Sequence, residues 1–208
     1  MWRGIAHRLQ LAGHMRIVIP EDRPKLEAAL KDGAIVTLSP IVKTDREFFE
    51  RGMEELSLES KFSRFGQGIG SLSAQELDYL TDVDQLRHVA WGAAVDGEVA
   101  GVGRYIVSDA DGCAEVAVTV LDALQHRGVG RLLFEALVAV ARADGVHELC
   151  LETMADNAAV MRLVREVEVV PFGADDIVER RLRVSDLPRS PNDREVLGVI
   201  DEIRAARA

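Results

Sequence analysis

The 208-residue sequence has no apolar run close to the roughly 20 residues that a membrane-spanning helix needs. Its first residues, MWRGIAHRLQLAG, lack the sustained apolar stretch and the small-residue cleavage site of a secretory signal peptide. Lysine and arginine form no basic run, and a net charge of −10 disfavours nucleic acid as the main partner, because phosphate binding requires a basic face. These absences predict an unexported, cytoplasmic protein that binds neither membranes nor nucleic acid.

Cysteine is scarce, since the chain contains only Cys113 and Cys150. Their spacing matches neither a metal site nor a disulfide framework, and neither lies beside a histidine that would make it a nucleophile. We therefore predict that both are small core residues of a cytoplasmic protein. We expect no metal cofactor.

The composition is that of a folded globular protein, with 48% hydrophobic and 29% charged residues. The length suits one domain with added segments, against a typical domain of about 150 residues. We divide the chain into an N-terminal extension over residues 1–33, a main domain over 34–188 and a C-terminal helix over 189–208. The extension is predicted to contain an arm, a short strand and a helix that begins at Asp22 and ends before Gly33.

Two helices are predicted early in the main domain. TDREFFERGMEEL begins at Thr44, and Glu47 follows three positions later. SAQELDYL begins at Ser73, and Glu76 follows at the same distance, which is the spacing of a capping box. Between them, the glycines of SKFSRFGQGIGS miss the spacing of a dinucleotide-binding loop. This segment is interpreted either as a mobile loop beside a substrate cleft or as a plain flexible connection.

Strand patterns dominate from HVAWGAAV onward. HVAWGAAV, EVAGVGRYIVS and AEVAVTVLD are joined by the turns Asp96-Gly97 and Asp111-Gly112, so they are predicted to be antiparallel neighbours. A helix over about 127–144 follows. The remaining elements are the strand HELCLETM, the helix NAAVMRLVREV, the strands EVVPFG and DIVERRLRVSDL, and the C-terminal helix. This order predicts an α/β (α+β) fold with a mixed, mostly antiparallel central sheet flanked by helices.

The stretch QHRGVG, residues 125–130, links the third of these strands to the long helix. Gly128 and Gly130 allow the backbone to approach a ligand closely, and the first amides of the helix, with its dipole, favour negative charge. Arg127 and Arg131 add positive charge at the same place. The pattern predicts an anion site, and a glycine turn that serves only tight packing is the alternative.

The run Gln125-His126-Arg127-Gly128-Val129-Gly130 resembles the Q/R-x-x-G-x-G/A signature of the GNAT (Gcn-related N-acetyltransferase) superfamily. As in that family, it follows the long central strand and opens the long helix. The order of elements from about Ile35 to Leu187 is also similar to the GNAT fold. LSPIVKTDREFF, SKFSRFG, LSAQEL and AEVAVTV look like the bacterial protein-lysine acetyltransferase branch. The resemblance implies acetyl-CoA as cosubstrate, bound where the fourth and fifth strands of the family splay apart.

The resemblance also implies roles for individual residues. The main chain of Val118 and Val120 is expected to bind the pantetheine arm, while their side chains are expected to be core. Asn157 is expected near the pantetheine or the acceptor, or as a helix N-cap, and both roles are compatible. The signature implies further cofactor contacts from Gln125, Arg127, Gly128, Val129, Gly130 and Arg131.

Glu115 is the candidate general base. Only a neutral amine attacks a thioester, so a base must take a proton from the ammonium group. Glu115 heads the apolar strand VAVTV, where partial burial would raise its pKa, and it resembles the base of the lysine-acetyltransferase branch. The alternative is an ordinary exposed Glu after a turn.

Many relatives protonate the leaving thiolate with a tyrosine where this sequence has Val164. His88 and Asp84 precede a strand, and one interpretation is that they line an acceptor site. The interpretation that we favour is an isolated surface histidine and a helix-end aspartate.

These observations predict an N-acetyltransferase that transfers the acetyl group directly to a protein lysine or a small amine. The main-chain N–H of Val118 is expected to help stabilise the tetrahedral oxyanion. The alternative is a non-catalytic CoA-responsive module in which the bound thioester orders an interface. The acceptor, the acyl-chain preference and the oligomeric state are left open by the sequence.

Overall fold

The computed structural model describes residues 19–57, 71–108, 112–154, 157, 160, 169–171 and 177–207. The strands of this described part are β1 Leu26–Ala29, β2 Ile35–Pro40, β3 His88–Val95, β4 Glu98–Val107, β5 Ala114–Val120, β6 Glu148–Met154, β7 Val169–Pro171 and β8 Ile177–Arg183. Its helices are α1 Arg46–Glu55, α2 Ala74–Thr81, α3 Val129–Ala143 and α4 Asp193–Ala205. A short 3₁₀ turn at Asp122–Leu124 precedes α3.

The strands form one sheet in the order β1-β2-β3-β4-β5-β6-β8-β7. Neighbouring strands are antiparallel except for β5 and β6, which are parallel. The turn between β3 and β4 has the left-handed φ angles that a two-residue hairpin requires, 53° at Asp96 and 83° at Gly97. The predicted mixed, mostly antiparallel sheet flanked by helices is therefore confirmed.

Helices cover both faces of the sheet. α3 packs on β3, β4 and β5, and a glycine in β4 lets it come close, since a Cβ atom at Gly103 would lie 3.1 Å from Leu137 Cδ1. α4 packs on α3 and on the strands β1 and β2. Val102 alternates with Gly103 and so faces the other side of the sheet, where it packs against a cluster that contains Phe48 and Met53 of α1. The core thus has two layers, one on each side of the sheet.

The helix predicted for the N-terminal extension is wrong. The segment KLEAAL consists of good helix formers, but Leu26, Ala28 and Leu30 also alternate along it. Pairing with β2 places Leu26 opposite Leu38 and buries Leu26 and Leu30, so sheet packing overrides the helix propensity. Gly33, with a φ of 87°, lies in the turn that joins β1 to β2. This hairpin crosses the boundary predicted at residues 33 and 34.

The two early helices begin differently. At α2, Ser73 Oγ accepts a hydrogen bond from the N–H of Glu76 at 3.2 Å, and the Glu76 carboxylate accepts from the N–H of Ser73 at 2.7 Å, which confirms this capping box. α1 has Asp45 at its N-cap position and no side-chain cap, so the box predicted at Thr44 is wrong. The Asp45 carboxylate instead accepts from Arg23 Nη1 at 2.7 Å.

The predicted C-terminal helix is confirmed as α4, and a polar cluster ties it to the rest of the fold. Arg204 donates to both carboxylate oxygens of Asp144, at 3.0 and 2.6 Å, just past the end of α3. Asp144 also accepts from the hydroxyl of the buried Tyr105 at 3.1 Å. Burial, and then the charge of Asp144, raises the pKa of Tyr105.

Some predicted features lie outside the described residues. These are the arm and most of the short strand predicted for the N-terminal extension, Asp111 of the second hairpin turn, the glycine-containing segment 58–70, and the helix after Asn157 except for Val160. None of the helices in the described part of the chain combines the length and the hydropathy that a membrane crossing requires.

Candidate active site

β5 and β6 separate after a short contact. Each strand has seven residues, but the two pair only at Ala114 with Leu149 and at Glu115 with Cys150. Because the strands are parallel, both continue in the same direction beyond this contact, and the residues of β5 after Glu115 have no partner in β6. The sheet therefore contains a gap that opens toward the C-terminal ends of both strands, which is the splayed pair that the resemblance implies.

The main chain of β5 lines this gap. The N–H of Leu121 donates to Ala100 O at 2.9 Å, so the polar groups of Leu121 are directed toward β4. Successive residues of a strand direct these groups to opposite edges, so those of Val118 and Val120 are directed toward the gap. The Val120 carbonyl accepts from Gln125 Nε2 at 3.2 Å. The edge predicted to bind pantetheine thus faces the opening, and the binding itself stays a prediction.

A disulfide closes the narrow end of the gap. Cys113, which directly precedes β5, is bonded to Cys150 of β6, with 6.0 Å between their Cα atoms, and both side chains are buried. The expectation that these cysteines form no disulfide is therefore wrong, although their place in the core is confirmed. They are 37 residues apart and meet because β5 and β6 are neighbours in the sheet, which the spacing of two cysteines does not reveal.

α3 begins at a glycine in the left-handed region. Gly128 is the N-cap residue, with a φ of 109°, and no side chain caps the helix. Within the described residues, the N–H groups of Val129, Gly130 and Arg131 have no hydrogen-bond acceptor, and the first helical bond runs from Leu132 N–H to Gly128 O at 3.1 Å. Uncapped amides at a helix N-terminus, together with the helix dipole, attract an anion.

Gly130 brings this helix start against the end of β5. A Cβ atom at Gly130 would lie 3.3 Å from Val120 Cγ2 and 3.8 Å from Val118 Cγ1, and the first distance is tighter than ordinary side-chain packing. The packing role, which was the alternative to an anion site, therefore applies to Gly130. It is compatible with the anion site, because the close packing puts the uncapped amides at the open end of the gap.

Two arginines flank these amides, and each is held by a carboxylate. Arg127 Nε donates to Asp32 Oδ2 at 2.6 Å, and Arg131 Nε donates to Glu135 Oε1 at 2.6 Å. The Arg127 guanidinium holds the pKa of Asp32 below its ordinary value. The side chain of Arg131 is 72% exposed and that of Arg127 is 29% exposed, so Arg127 is the better-fixed cation beside the turn.

Glu115 lies at the narrow end of the gap, opposite Cys150. Its side chain is exposed, so the partial burial expected from the apolar strand is wrong. The reason is the alternation of β5, because Val116 packs into the core beneath α3 and Glu115, Ala117 and Thr119 therefore face the other side of the sheet. The carboxylate is open to a ligand that approaches from the side of α1 and α2.

An apolar pocket lies on the same side of the sheet as Glu115. It is a cavity of about 50 Å³ between α1, α2, β4 and β5, and its walls include Phe48, Phe49 and Met53. Thr119 of β5 also lines it. Because Thr119 and Glu115 project from the same face of β5, the pocket and the carboxylate open toward the same side.

A buried cation forms part of the pocket wall. Arg104 is 4% exposed, and its guanidinium carbon lies 5.6 Å from the centre of the Phe49 ring. His88 Nε2 lies 3.3 Å from Arg104 Nη1. Burial, and then the charge of Arg104, lowers the pKa of His88 to about 4, so this histidine is uncharged near neutral pH. His88 is therefore a half-buried neighbour of Arg104, and its interpretation as an isolated surface residue is wrong.

Asp84 and Asn157 both serve the local backbone. Asp84 Oδ1 accepts hydrogen bonds from the N–H groups of residues 86–88 at 2.8 to 2.9 Å. Asn157 Oδ1 accepts from the N–H of Val160 at 3.1 Å, which is the hydrogen bond that an N-cap residue makes. The expected place of Asn157 near the pantetheine stays a prediction, and Val164 lies outside the described residues.

Sequence reasoning missed two charged residues near these features, Asp32 and Arg104. The pair Asp32-Gly33 is a turn signal, but nothing in the sequence indicates that this turn reaches Arg127. Arg104 follows the small residues of β4, EVAGVGRYIV, and its position in the strand does not show that α1 covers its side chain.

Comparison with known proteins identifies the family. The model of the Acetyltransferase (GNAT) family matches residues 51–167, more than half of the chain. Acetyltransferase PA5475 of Pseudomonas aeruginosa is 33% identical over 139 residues, which cover 65% of this chain and 75% of that protein. Acetyltransferase Pat of Mycolicibacterium smegmatis is 30% identical over 183 residues, which cover 85% of this chain and 53% of that protein. This chain thus spans about half the length of Pat.

The fold comparison agrees. The crystal structure of the GNAT domain of S. lividans PAT has a TM-score of 0.70 and 28% identity, and the match covers 76% of this chain and 96% of that one. The chain belongs to the GNAT acetyltransferase family, and the resemblance predicted from QHRGVG is confirmed. It is an acetyl-CoA-dependent acyltransferase, and acetyl-CoA is its cosubstrate. The open gap and the uncapped start of α3 fit a donor that carries an extended arm and an anionic end.

Proposed function

We propose that the protein transfers an acetyl group from acetyl-CoA directly to a primary amine, either a protein lysine or a small amine, with Glu115 as the general base. The observation that carries this proposal is the gap between β5 and β6. Its open end lies beside the uncapped amides of α3, and its narrow end lies beside the exposed carboxylate of Glu115.

The donor end is supported by main-chain groups. The amides of Val129, Gly130 and Arg131 suit the pyrophosphate of CoA, because anions are favoured at a helix N-terminus. The outward-facing edge of Val118 and Val120 suits the amide groups of the pantetheine arm, because an unpaired strand edge offers donors and acceptors in a row. A donor bound along this line has its thioester toward the narrow end.

The acceptor end is supported by the pocket beside α1 and α2. A lysine side chain has an apolar stem and a cationic tip, so the apolar walls formed by Phe48 and Met53 suit the stem, and the carboxylate of Glu115 suits the ammonium. Acetyltransferase Pat and the PAT domain match this chain over most of its length, which supports a similar acceptor class.

In the reaction, Glu115 takes a proton from the ammonium group directly or through water. The neutral nitrogen then forms a bond to the acetyl carbon, the carbon–sulfur bond breaks, and the second proton that the nitrogen loses on becoming an amide is taken up, directly or through water, by the CoA thiolate. The main-chain N–H of Val118 is directed toward the gap and is the candidate donor to the oxyanion of the tetrahedral intermediate. The disulfide supports direct transfer, since it leaves neither cysteine of the chain with a free thiol to act as a nucleophile.

The test compares E115Q with E202Q, which changes an exposed glutamate of α4, the helix that Arg204 joins to the end of α3 opposite the glycine turn. Release of CoA thiol is measured with acetyl-CoA against a panel of amines and lysine peptides, and acetyl-CoA affinity is measured by calorimetry. Loss of a general base lowers kcat by about 100- to 10,000-fold. We expect this loss in E115Q alone, with the Kd for acetyl-CoA unchanged in both variants.

Two outcomes would contradict the proposal. Full turnover in E115Q would remove Glu115 as the base. Binding of acetyl-CoA without CoA release for any amine would instead favour the CoA-responsive module. Acetyl-CoA at 100 times its Kd should also stabilise the fold by about 2.7 kcal/mol, and the absence of this shift would contradict the donor site.

A further inference from the structure

The tip of the β1–β2 hairpin contacts the glycine turn before α3. Within the tip, Leu30 N–H donates to Ala34 O at 2.8 Å and Gly33 N–H donates to Leu30 O at 3.0 Å, so the turn is held by its own backbone. Asp32 Oδ1 accepts from the N–H of Ala34 at 3.1 Å. The second carboxylate oxygen of Asp32 accepts from Arg127 Nε at 2.6 Å. The carboxylate is thus fixed by the hairpin on one side and binds Arg127 on the other.

Apolar packing supports the same contact. Leu30, at the end of β1, is 5% exposed, and its Cδ2 atom lies 4.0 Å from the position of a Cβ atom on Gly128. The hairpin therefore lies next to the glycine turn, and Leu30 belongs to the same buried cluster as Val129, which follows that turn. Asp96, at the tip of the β3–β4 hairpin, adds a second negative charge near Arg127. Two acidic turns thus act on Arg127, and the contact is with Asp32.

This arrangement leaves most donors of Arg127 available. In the described part of the chain, Nε is the Arg127 nitrogen that makes a hydrogen bond, and the Nη groups make none. A guanidinium offers five N–H donors in a planar fork that matches carboxylate and phosphate. Because Arg127 directly precedes Gly128, the N-cap residue of α3, these donors belong to the same turn as the uncapped amides.

We propose that Asp32 is a positioning residue for the phosphate end of the acyl donor. Its carboxylate holds the guanidinium of Arg127 at the glycine turn, and the Nη groups bind a phosphate of CoA together with the amides of α3. The β1–β2 hairpin is then part of the donor site, although it lies outside residues 51–167 that match the family model. This inference rests on the proposed donor site.

The sign of the effect follows from two opposing contributions. The Asp32 carboxylate repels a phosphate. This repulsion is weak, because the Arg127 guanidinium contacts the carboxylate and because water and salt screen exposed charges. Without Asp32, binding must immobilise a long arginine side chain, which costs affinity by about two- to tenfold. We therefore expect removal of the carboxylate to weaken binding.

The experiment measures Kd by calorimetry for acetyl-CoA and for acetyl-pantetheine, which lacks the phosphates. D32N is expected to weaken acetyl-CoA about two- to tenfold and to leave acetyl-pantetheine unchanged. D32E should restore part of the affinity, and D32N should add little in an R127Q background, because the two residues act as one unit. D82N is the matched control, since it breaks the exposed Lys43–Asp82 pair on the other side of the fold.

The outcomes separate this inference from the donor site itself. An unchanged or tighter Kd for acetyl-CoA in D32N overturns the positioning role. Equal weakening of acetyl-CoA and acetyl-pantetheine also overturns it, because the change would then be a general loss of structure. Failure of the unmodified protein to bind acetyl-CoA would instead overturn the proposed function.

Discussion

Replacing both Cys113 and Cys150 with alanine should lower the free energy of unfolding by about 4 kcal/mol, the value that chain entropy gives for a loop of this length. The bond joins residues 37 positions apart, and its loss releases that loop in the unfolded chain. Alanine is used because the side chains are 7% and 5% exposed, and a serine hydroxyl would be buried at a cost of its own. For a chain of this size, the loss corresponds to a fall in Tm of roughly 8 to 16 °C.

The assay is thermal unfolding of protein purified without a reductant, with and without an added phosphine reductant. The reductant should lower the Tm of the unmodified protein and leave the double variant unchanged, so the difference isolates the disulfide from the volume lost at each cysteine. Thiol titration in denaturant should find no free thiol before reduction. After reduction, it should find both cysteines of the chain.

The same bond should affect the donor site. β5 and β6 share only two paired positions, so the disulfide is a large part of what holds them together at the narrow end of the gap. Reduction should therefore weaken acetyl-CoA binding as well as the fold. Free thiols in the unreduced protein would refute the reasoning, and so would a Tm that is the same in both conditions.

Three further changes test local features. G128A forces a side chain to a φ of 109°, so urea unfolding should show a loss of about 1 to 3 kcal/mol, and calorimetry should show weaker acetyl-CoA binding. H88Q should flatten the pH dependence of unfolding between pH 6.5 and about 4. The pKa of His88 is lowered in the fold, so the unfolded chain binds more protons there, and the unmodified protein loses stability as the pH falls. Y105F removes a buried hydrogen bond to Asp144 and should cost about 1 kcal/mol in urea unfolding.

Each of these expectations has an outcome that contradicts it. A G128A variant as stable as the unmodified protein would mean that the turn relaxes without the left-handed residue. Parallel stability curves for H88Q and the unmodified protein between pH 4 and 7 would mean that Arg104 and burial do not depress the pKa of His88. No change in Y105F would mean that water replaces the Tyr105 hydroxyl at Asp144.

The features that the sequence predicts correctly depend on a few neighbouring residues. The hairpin at Asp96-Gly97 needs two left-handed positions, and the capping box at Ser73 and Glu76 needs two side chains three positions apart. The start of α3 needs a glycine at position 128. In each case the local chain contains every group that the structure uses, so the pattern is sufficient.

The wrong predictions concern features of a different kind, because each feature depends on residues that are distant in the chain. KLEAAL is a strand because β2 pairs with it, although its own residues favour a helix. The carboxylate of Asp45, at the N-cap position of α1, binds Arg23 and caps no amide of the helix. The exposure of Glu115 depends on which face of β5 the helix α3 covers. Alternation along the strand shows that two faces exist but does not show which one is buried.

The candidate site therefore combines a local element with distant neighbours. QHRGVG contains the glycine at which α3 begins and no side chain that caps the helix, and together with the order of elements it carries the resemblance to the family. The neighbours of that turn come from distant parts of the chain, since Asp32 is 95 residues from Arg127. The disulfide at the other end of the gap likewise joins cysteines 37 residues apart. Acetyltransferases that share the signature can therefore differ in how firmly the cation beside the turn is held. A carboxylate on a neighbouring hairpin would change affinity for the phosphate end of the donor without any change in the signature.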